Sequence, residues 1–205
     1  METSSDFLSS VTENLAVVTF DTKTNITYAS DLFAQTMGYS KEELLKMQHR
    51  DLCFSSFVNS ASYTEFWKRL LAGQTFQDQV LRKGKGNKKV YLEANYFPLR
   101  DEAHNLTGVC KVCFDKTKST STLIKSIGEI GQITNTVHEI AYNTNILAVN
   151  TALQAVRSSE NSNGFSVVAK EMRKLSKDVD QSSKDIRETV QNILHQLNVI
   201  DQDAY

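Results

Sequence analysis

Neither sign of charge dominates this sequence: 23 Lys and Arg stand against 24 Asp and Glu. Nothing therefore selects a phosphate backbone or an anionic membrane surface, and nucleic acid is not an expected partner. Long hydrophobic runs are missing too. The run 15–20 falls far short of the ~18 apolar residues that a membrane helix requires. The opening METSSDF is not the basic-then-apolar start of an export signal, so the expectations are no membrane insertion and a cytoplasmic location. Cysteine is confined to Cys53, Cys110 and Cys113, an odd set that suits reduced thiols better than a disulfide framework. On a strand, Cys110 and Cys113 point to opposite faces and cannot converge on a metal or form a redox pair. No nucleophile beside a base, phosphate loop or metal cluster stands out, so no enzyme is expected.

With 205 residues the chain can hold one domain and an appendage, or two small domains. Its scarcer residues divide it. The single proline Pro98, the single tryptophan Trp67 and nearly all Phe and Tyr precede residue 117; beyond it come only Gly128, Gly131, Gly164, Tyr142, Phe165 and Tyr205. The boundary is placed there, giving domains 1–116 and 117–205.

The first domain reads as α+β. The β-branched run 15–20, a turn at Lys23-Thr-Asn25 and Ile26-Thr-Tyr28 predict a hairpin. Ser30 caps a helix that Gly38 stops after Met37, and Ser40 with Glu43 forms a capping-box pattern. Residues 63–71 fit a further helix ended by Gly73. Three strands follow: 76–83, a Gly-Lys-Gly-Asn turn, 89–99, the polar turn 101–105, then 106–114. Two strands, short helices and three strands predict one antiparallel five-stranded sheet with helices on one side and a small cavity between.

The second domain reads as all-helical. Val168, Met172, Leu175, Val179, Ser182, Ile186, Thr189, Ile193, Gln196 and Ile200 alternate steps of four and three, the spacing of a coiled-coil seam. Ile130, Thr134, Val137, Ala141, Thr144, Ala148, Thr151 and Ala155 keep the same rhythm, with Ile133, Ile140 and Leu147 beside it. Two seams flanking Gly164 predict an antiparallel helical hairpin, which dimerises to a four-helix bundle.

The stretch Ile140-Ala-Tyr-Asn-Thr-Asn-Ile-Leu-Ala-Val-Asn150, with Ala155-Val-Arg157, Glu160, Gly164-Phe-Ser-Val-Val-Ala169 and Glu171-Met-Arg-Lys-Leu175, resembles the signalling tip of methyl-accepting chemotaxis receptors. The first domain resembles a PAS sensor, through Asp21, Ile26, Ser30-Asp-Leu-Phe33 and Gly38-Tyr-Ser-Lys-Glu-Glu-Leu44. Tyr63-Thr-Glu-Phe-Trp-Lys-Arg-Leu70, Gly73 and Glu93-Ala-Asn-Tyr-Phe-Pro-Leu99 resemble the PAS type of soluble receptors of this class. Asp115-Lys-Thr117 is similar to the exit motif joining PAS domains to their outputs. The resemblance implies a tip near 158–164 that binds a chemotaxis histidine kinase and its coupling protein, on homodimers that form trimers of dimers. By position, the trimer contacts are Tyr142, Asn150, Gln154 and Arg157, and the coupling-protein side is Ile146, Val149, Glu160 and Val167.

The chain departs from that pattern at Gln154, where the family has Glu, at Ser158-Ser159 for Ala-Gly, and at Ser162-Asn163 for Gly-Arg. An Arg–Gln hydrogen bond in place of an Arg–Glu pair gives up about 1 kcal/mol of charge-assisted contact. At ~1.5 Å per residue the leg from Thr117 to Glu160 is about 65 Å long, shorter than receptors with methylation helices, so no adaptation by methylation is expected.

The resulting expectation is a cytoplasmic signal transducer whose PAS domain senses a small ligand or redox state and shifts the hairpin through Asp115 and Thr117. PAS domains can hold haem or flavin. His49, after a short helix, is the candidate haem ligand and Trp67 a candidate ligand wall, whereas His104 sits in a polar turn. The alternatives are a non-sensing adaptor that binds receptor arrays through the hairpin, and a haem or flavin gas or redox sensor.

Overall fold

A computed structural model describes residues 2–157 and 162–202, with side chains for 6–154 and 164–194. Two compact units meet at residue 121, one holding Met1–Ser121 and the other Thr122–Gln196.

The first unit opens with α1 (Glu2–Asn14), a helix the sequence reading did not anticipate. β1 (Ala16–Asp21) and β2 (Ile26–Ala29) form the expected hairpin. Its turn is closed by Asp21, whose Oδ1 accepts from Lys23 N–H and Asn25 N–H at 2.8 Å each. Four short helices follow: α2 (Asp31–Met37), α3 (Lys41–Leu44), α4 (Ser55–Val58) and α5 (Ala61–Leu71), with a 3₁₀ turn at His49–Leu52. Ser30 caps α2 and Gly38 ends it in the left-handed region at φ 79°, a conformation costly for any residue with a Cβ. The Ser40–Glu43 capping box forms in full. Helix α5 begins two residues before the predicted start because Ser60, rather than a later residue, accepts from the Tyr63 N–H.

β3 (Phe76–Lys83), β4 (Lys89–Arg100) and β5 (Leu106–Asp115) complete an antiparallel sheet in the order β2-β1-β5-β4-β3. Gly108 lies against the Phe20 carbonyl in the β1–β5 pair, where any Cβ would collide. Period-two alternation sets the inner face: Val18 and Phe20, Val90, Leu92, Ala94 and Tyr96, Val109 and Cys113 share a core with Phe33, Met37, Leu44, Phe66, Trp67 and Leu70. Cys53, Cys110 and Cys113 are free and buried. Cys113 joins this core and Cys110 does not, in keeping with opposite faces. Burial pushes the Cys110 thiol up to about 11, so it stays protonated.

The second unit is the antiparallel hairpin of α6 (Thr117–Arg157) and α7 (Ser162–Gln202). On α6 the predicted seam residues Thr134, Ala141 and Ala148 are buried as expected, whereas on α7 the contact face is shifted from the predicted seam. On α7 the residues buried against α6 are Ala169, Ser176 and Ser183, each one position beyond Val168, Leu175 and Ser182. On α6 they are Ile127, Thr134, Ala141 and Ala148. Apart from Ile127, seven-residue spacing thus places small side chains between the helices and turns bulky ones outward. Ile140 is 59% exposed, Leu175 62%, and Val168, Ile130, Ile133, Leu147 and Ile186 are exposed beside them. The reason is closeness of approach: the Ser176 hydroxyl donates across the hairpin to the Ala141 carbonyl, which a Leu seam would hold out of reach. The other seam hydroxyls are satisfied within their own helices, Thr134 by Ile130 O at 2.8 Å and Ser183 by Val179 O at 2.9 Å.

Candidate functional site

Three regions carry side chains that core packing does not explain: the interior of the sheet unit, the strand-to-helix junction and the hairpin surface.

The 3₁₀ turn carries His49 inward, where it is 1% exposed at the centre of an aromatic cluster. Its ring centroid lies 5.1–6.0 Å from those of Phe20, Tyr63, Phe66, Trp67 and Tyr96. Trp67 Nε1–H donates to His49 Nδ1 at 3.3 Å, which makes that nitrogen an acceptor and puts the proton on Nε2, 3.3 Å from the Tyr96 hydroxyl. The two predicted pocket residues are thus brought together, but as partners of each other. Both ring nitrogens are engaged, and neither residue lines the cavity described below. These residues do not fit haem ligation, which needs an imidazole nitrogen free to face iron.

Desolvation holds His49 well below the usual imidazole range, with the Arg82 and Lys111 charges pushing the same way. The unfolded chain therefore binds a proton near pH 6.5 that the folded chain refuses, and stability is lost as pH falls below that value. The expected loss approaches about 1.4 kcal/mol per pH unit in that window. Denaturant midpoints from pH 7.5 down to about 5 test this, since His49→Gln keeps an acceptor for Trp67 and should flatten the slope.

Two buried cations lie in the same unit, and the sequence reading passed over both. Arg82 and Lys111 are each 2% exposed. Arg82 follows Val80 by two residues on β3, and Lys111 lies between Val109 and Cys113 on β5, so strand alternation sends both inward. That alternation was the available signal. Lys111 Nζ sits over the Tyr96 and Phe33 rings at 5.2 and 5.8 Å. Arg82 donates to Leu81 O at 2.7 Å and to the Tyr96 hydroxyl at 3.2 Å, and its carbon lies 5.4 Å from the Phe57 ring centroid. Arg82 also lines a 430 Å³ cavity between α4–α5 and β3.

At the junction, the Asp115 carboxylate accepts from Thr117 N–H at 2.8 Å. The Thr117 hydroxyl accepts from Tyr91 N–H at 3.1 Å, and Lys116 N–H donates to Tyr91 O at 2.8 Å. Lys116 also pairs with Glu93 at 3.2 Å. The start of α6 is thus tied to β4 by two backbone-directed bonds and an ion pair, and to the end of β5 by a third bond. Asp115 ends β5 and Thr117 begins α6.

On the hairpin, Tyr142 is 61% exposed, and Ile146, Asn150, Gln154 and Val167 are exposed, while Val149 is half-buried. Residues 142, 146, 149 and 150 share one face of α6 at helical spacing. The Arg157 and Asn163 side chains, together with Ser158, Ser159 and Glu160, lie outside the described residues. The sequence reading missed a polar bridge lower on the legs: His138 Nδ1 lies 2.7 Å from Asp180 Oδ1 across the hairpin, and Lys184 reaches Asp180 Oδ2 at 2.9 Å. The Lys184 bond is the main cause holding the Asp180 carboxyl below its ordinary value.

Among the described residues no helix is long and apolar enough to cross a membrane, and no group of three or more His, Cys, Asp and Glu could hold a metal ion. Residues 8–120 match the PAS fold, and residues 103–203 match the methyl-accepting chemotaxis protein (MCP) signalling domain. Biofilm dispersion protein BdlA of Pseudomonas aeruginosa is 30% identical over 218 residues, covering 81% of this chain and 52% of that protein. The chain thus spans about half the length of this curated relative. Among solved structures, a domain of the sensory box sensor histidine kinase/response regulator from Geobacter sulfurreducens aligns with a TM-score of 0.47 at 14% identity, over 55% of this chain and 94% of that one. The Rhodobacter sphaeroides LOV protein aligns at 0.48 and 15% identity, over 63% and 77%.

Proposed function

The chain belongs to the PAS fold family and carries an MCP signalling domain, and on that premise we propose that it is a sensory transducer. The PAS unit takes up a small-molecule signal, the tie between β4 and the start of α6 passes it on, and the hairpin tip controls a chemotaxis-type histidine kinase through its coupling protein. The acting species is a homodimer, a four-helix bundle of two hairpins, which associates further through its tips.

One observation carries this reading. The hairpin spends its small residues on its own closure and leaves Ile133, Ile140, Leu147, Val168 and Leu175 exposed. An apolar stripe of that length suits a second hairpin better than water. Beside it, Tyr142, Ile146 and Asn150 present an exposed mixed face of the kind that protein partners read. A non-sensing adaptor would not need the two bonds and the ion pair that fix the start of α6 to β4.

The test is co-purification of the full chain with a chemotaxis kinase and its coupling protein. Asn150→Ala should weaken association about tenfold while changing stability by less than about 0.5 kcal/mol, as surface substitutions do. No association of the parent chain, or equal association of the variant, overturns the tip reading.

A further inference from the structure

We propose that the PAS unit binds a small organic carboxylate with an apolar body, its anionic end on Arg82 and its body in the cavity between α4–α5 and β3. This deepens the sensory reading above and rests on it.

Arginine cannot shed its proton in a protein, so Arg82 is a permanent positive charge at 2% exposure. A buried charge is expensive unless an opposite charge meets it. Among the described residues no carboxylate forms an ion pair with Arg82. Its partners are neutral: a backbone carbonyl, the Tyr96 hydroxyl and the face of Phe57. Among the described residues its Nε–H has no hydrogen-bond partner, although the atom is fully buried. Such a group calls for an explanation, and the cavity supplies one.

The cavity measures 430 Å³ and Arg82 lines it, a size suited to a small metabolite. Its inner wall is apolar, built from Phe57, Phe66, Phe76 and Val80. The charged groups that also line it lie at exposed positions and are engaged elsewhere: Glu65 with Lys68 at 3.4 Å, Arg69 with Gln74 at 3.0 Å, and Asp78 accepting from Gln79 N–H at 2.7 Å. Arg82 is thus the one buried charge among the lining residues, and it lacks an ion-pair partner among the described residues. Lys111, equally buried and without an ion-pair partner among the described residues, adds a second positive charge to the same interior. A guanidinium without an ion-pair partner matches a carboxylate in geometry and charge, and aromatic walls match an apolar body. A fully hydrated inorganic anion would forfeit those walls.

The probe is benzoate, with benzyl alcohol as its uncharged counterpart and inorganic phosphate as a charge without an apolar body. Titration calorimetry on the full chain should show saturable benzoate binding at low millimolar concentration or better. Benzyl alcohol and phosphate should bind at least about tenfold more weakly, the loss of one charge-assisted pair. Thermal unfolding of the PAS unit should shift upward with benzoate, since only the folded state carries the site. Arg82→Met should lower benzoate affinity about a hundredfold and, by removing an uncompensated charge, leave the unliganded unit at least as stable. Ser62→Trp, at an exposed position on the cavity lining, should block benzoate while leaving Arg82 in place, so a folding defect at residue 82 does not decide the matter. Absence of benzoate binding, equal binding of benzyl alcohol or phosphate, or unchanged affinity in Arg82→Met overturns the proposal. Calorimetry reads binding alone: benzoate bound with no change in hairpin hydrogen exchange would leave this site standing and sink the transducer reading instead.

Discussion

Leu175→Asp is expected to turn a stable dimer into a monomer. In the isolated hairpin Leu175 is 62% exposed, so a carboxylate there stays hydrated and costs within about 0.5 kcal/mol. In the proposed four-helix bundle the same position faces a second hairpin, which strips the carboxylate of water. Burial of an unpaired carboxylate is costly enough that the dissociation constant should rise by about two to three orders of magnitude, or ~3–4 kcal/mol. Light scattering of parent and variant across a concentration series measures this, with helical content by circular dichroism as the control. A parent that is monomeric at micromolar concentration, or a variant that stays dimeric, would remove the four-helix bundle from the account. Ile140→Asp, on the facing helix at 59% exposure, should act in the same direction.

Much of the architecture was legible because each element announces itself by its own chemistry. Asp21 and Asn25 close the first turn through their side chains, Ser30 and Gly38 bracket α2, and Ser40 with Glu43 opens α3. Strand alternation predicted the sheet and put Cys110 and Cys113 on opposite faces. The same alternation would have flagged Arg82 and Lys111, since a cation at an inward strand position is an anomaly that a search for motifs passes over. His49 was harder. Whether the 3₁₀ turn presents it to a cavity or to Trp67 depends on tertiary packing, and period reasoning has no purchase on a four-residue element. Helix α1 escaped because a run of Ser, Thr and acidic residues offers no strong apolar stripe.

The hairpin shows a different limit. Two heptad series run side by side on α7, Val168-Leu175-Ser182 and Ala169-Ser176-Ser183, and periodicity fits both equally well. Bulk favoured the first, because coiled coils commonly fill their seams with Leu and Ile. The structure chooses the second for the contact within the chain, since small side chains allow the closer approach, and leaves the bulky series on the outside. Periodicity alone cannot say which of two adjacent series faces the other helix.

That division of labour makes neighbouring residues behave in opposite ways. Ala141 is buried where its carbonyl receives the Ser176 hydroxyl, so Ala141→Leu must push the helices apart, break that bond or force a strained rotamer. Overpacking of this kind costs about 1–3 kcal/mol, and the unmade hydrogen bond of a buried serine adds about 1 kcal/mol. In an ordinary coiled coil the same change would fill a seam and stabilise it. Ile140→Ala, one residue away, removes a side chain from the outer stripe, so it should leave the hairpin's own closure nearly untouched while weakening the dimer. Denaturant unfolding followed by helical circular dichroism, at protein concentrations low enough to populate the monomer, separates the two effects. The expected result is a loss of about 2–4 kcal/mol for Ala141→Leu against less than about 0.5 kcal/mol for Ile140→Ala. A stabilised Ala141→Leu hairpin would mean that the helices meet on the bulky series after all, with Leu175 inside and the outer face assigned to the wrong residues.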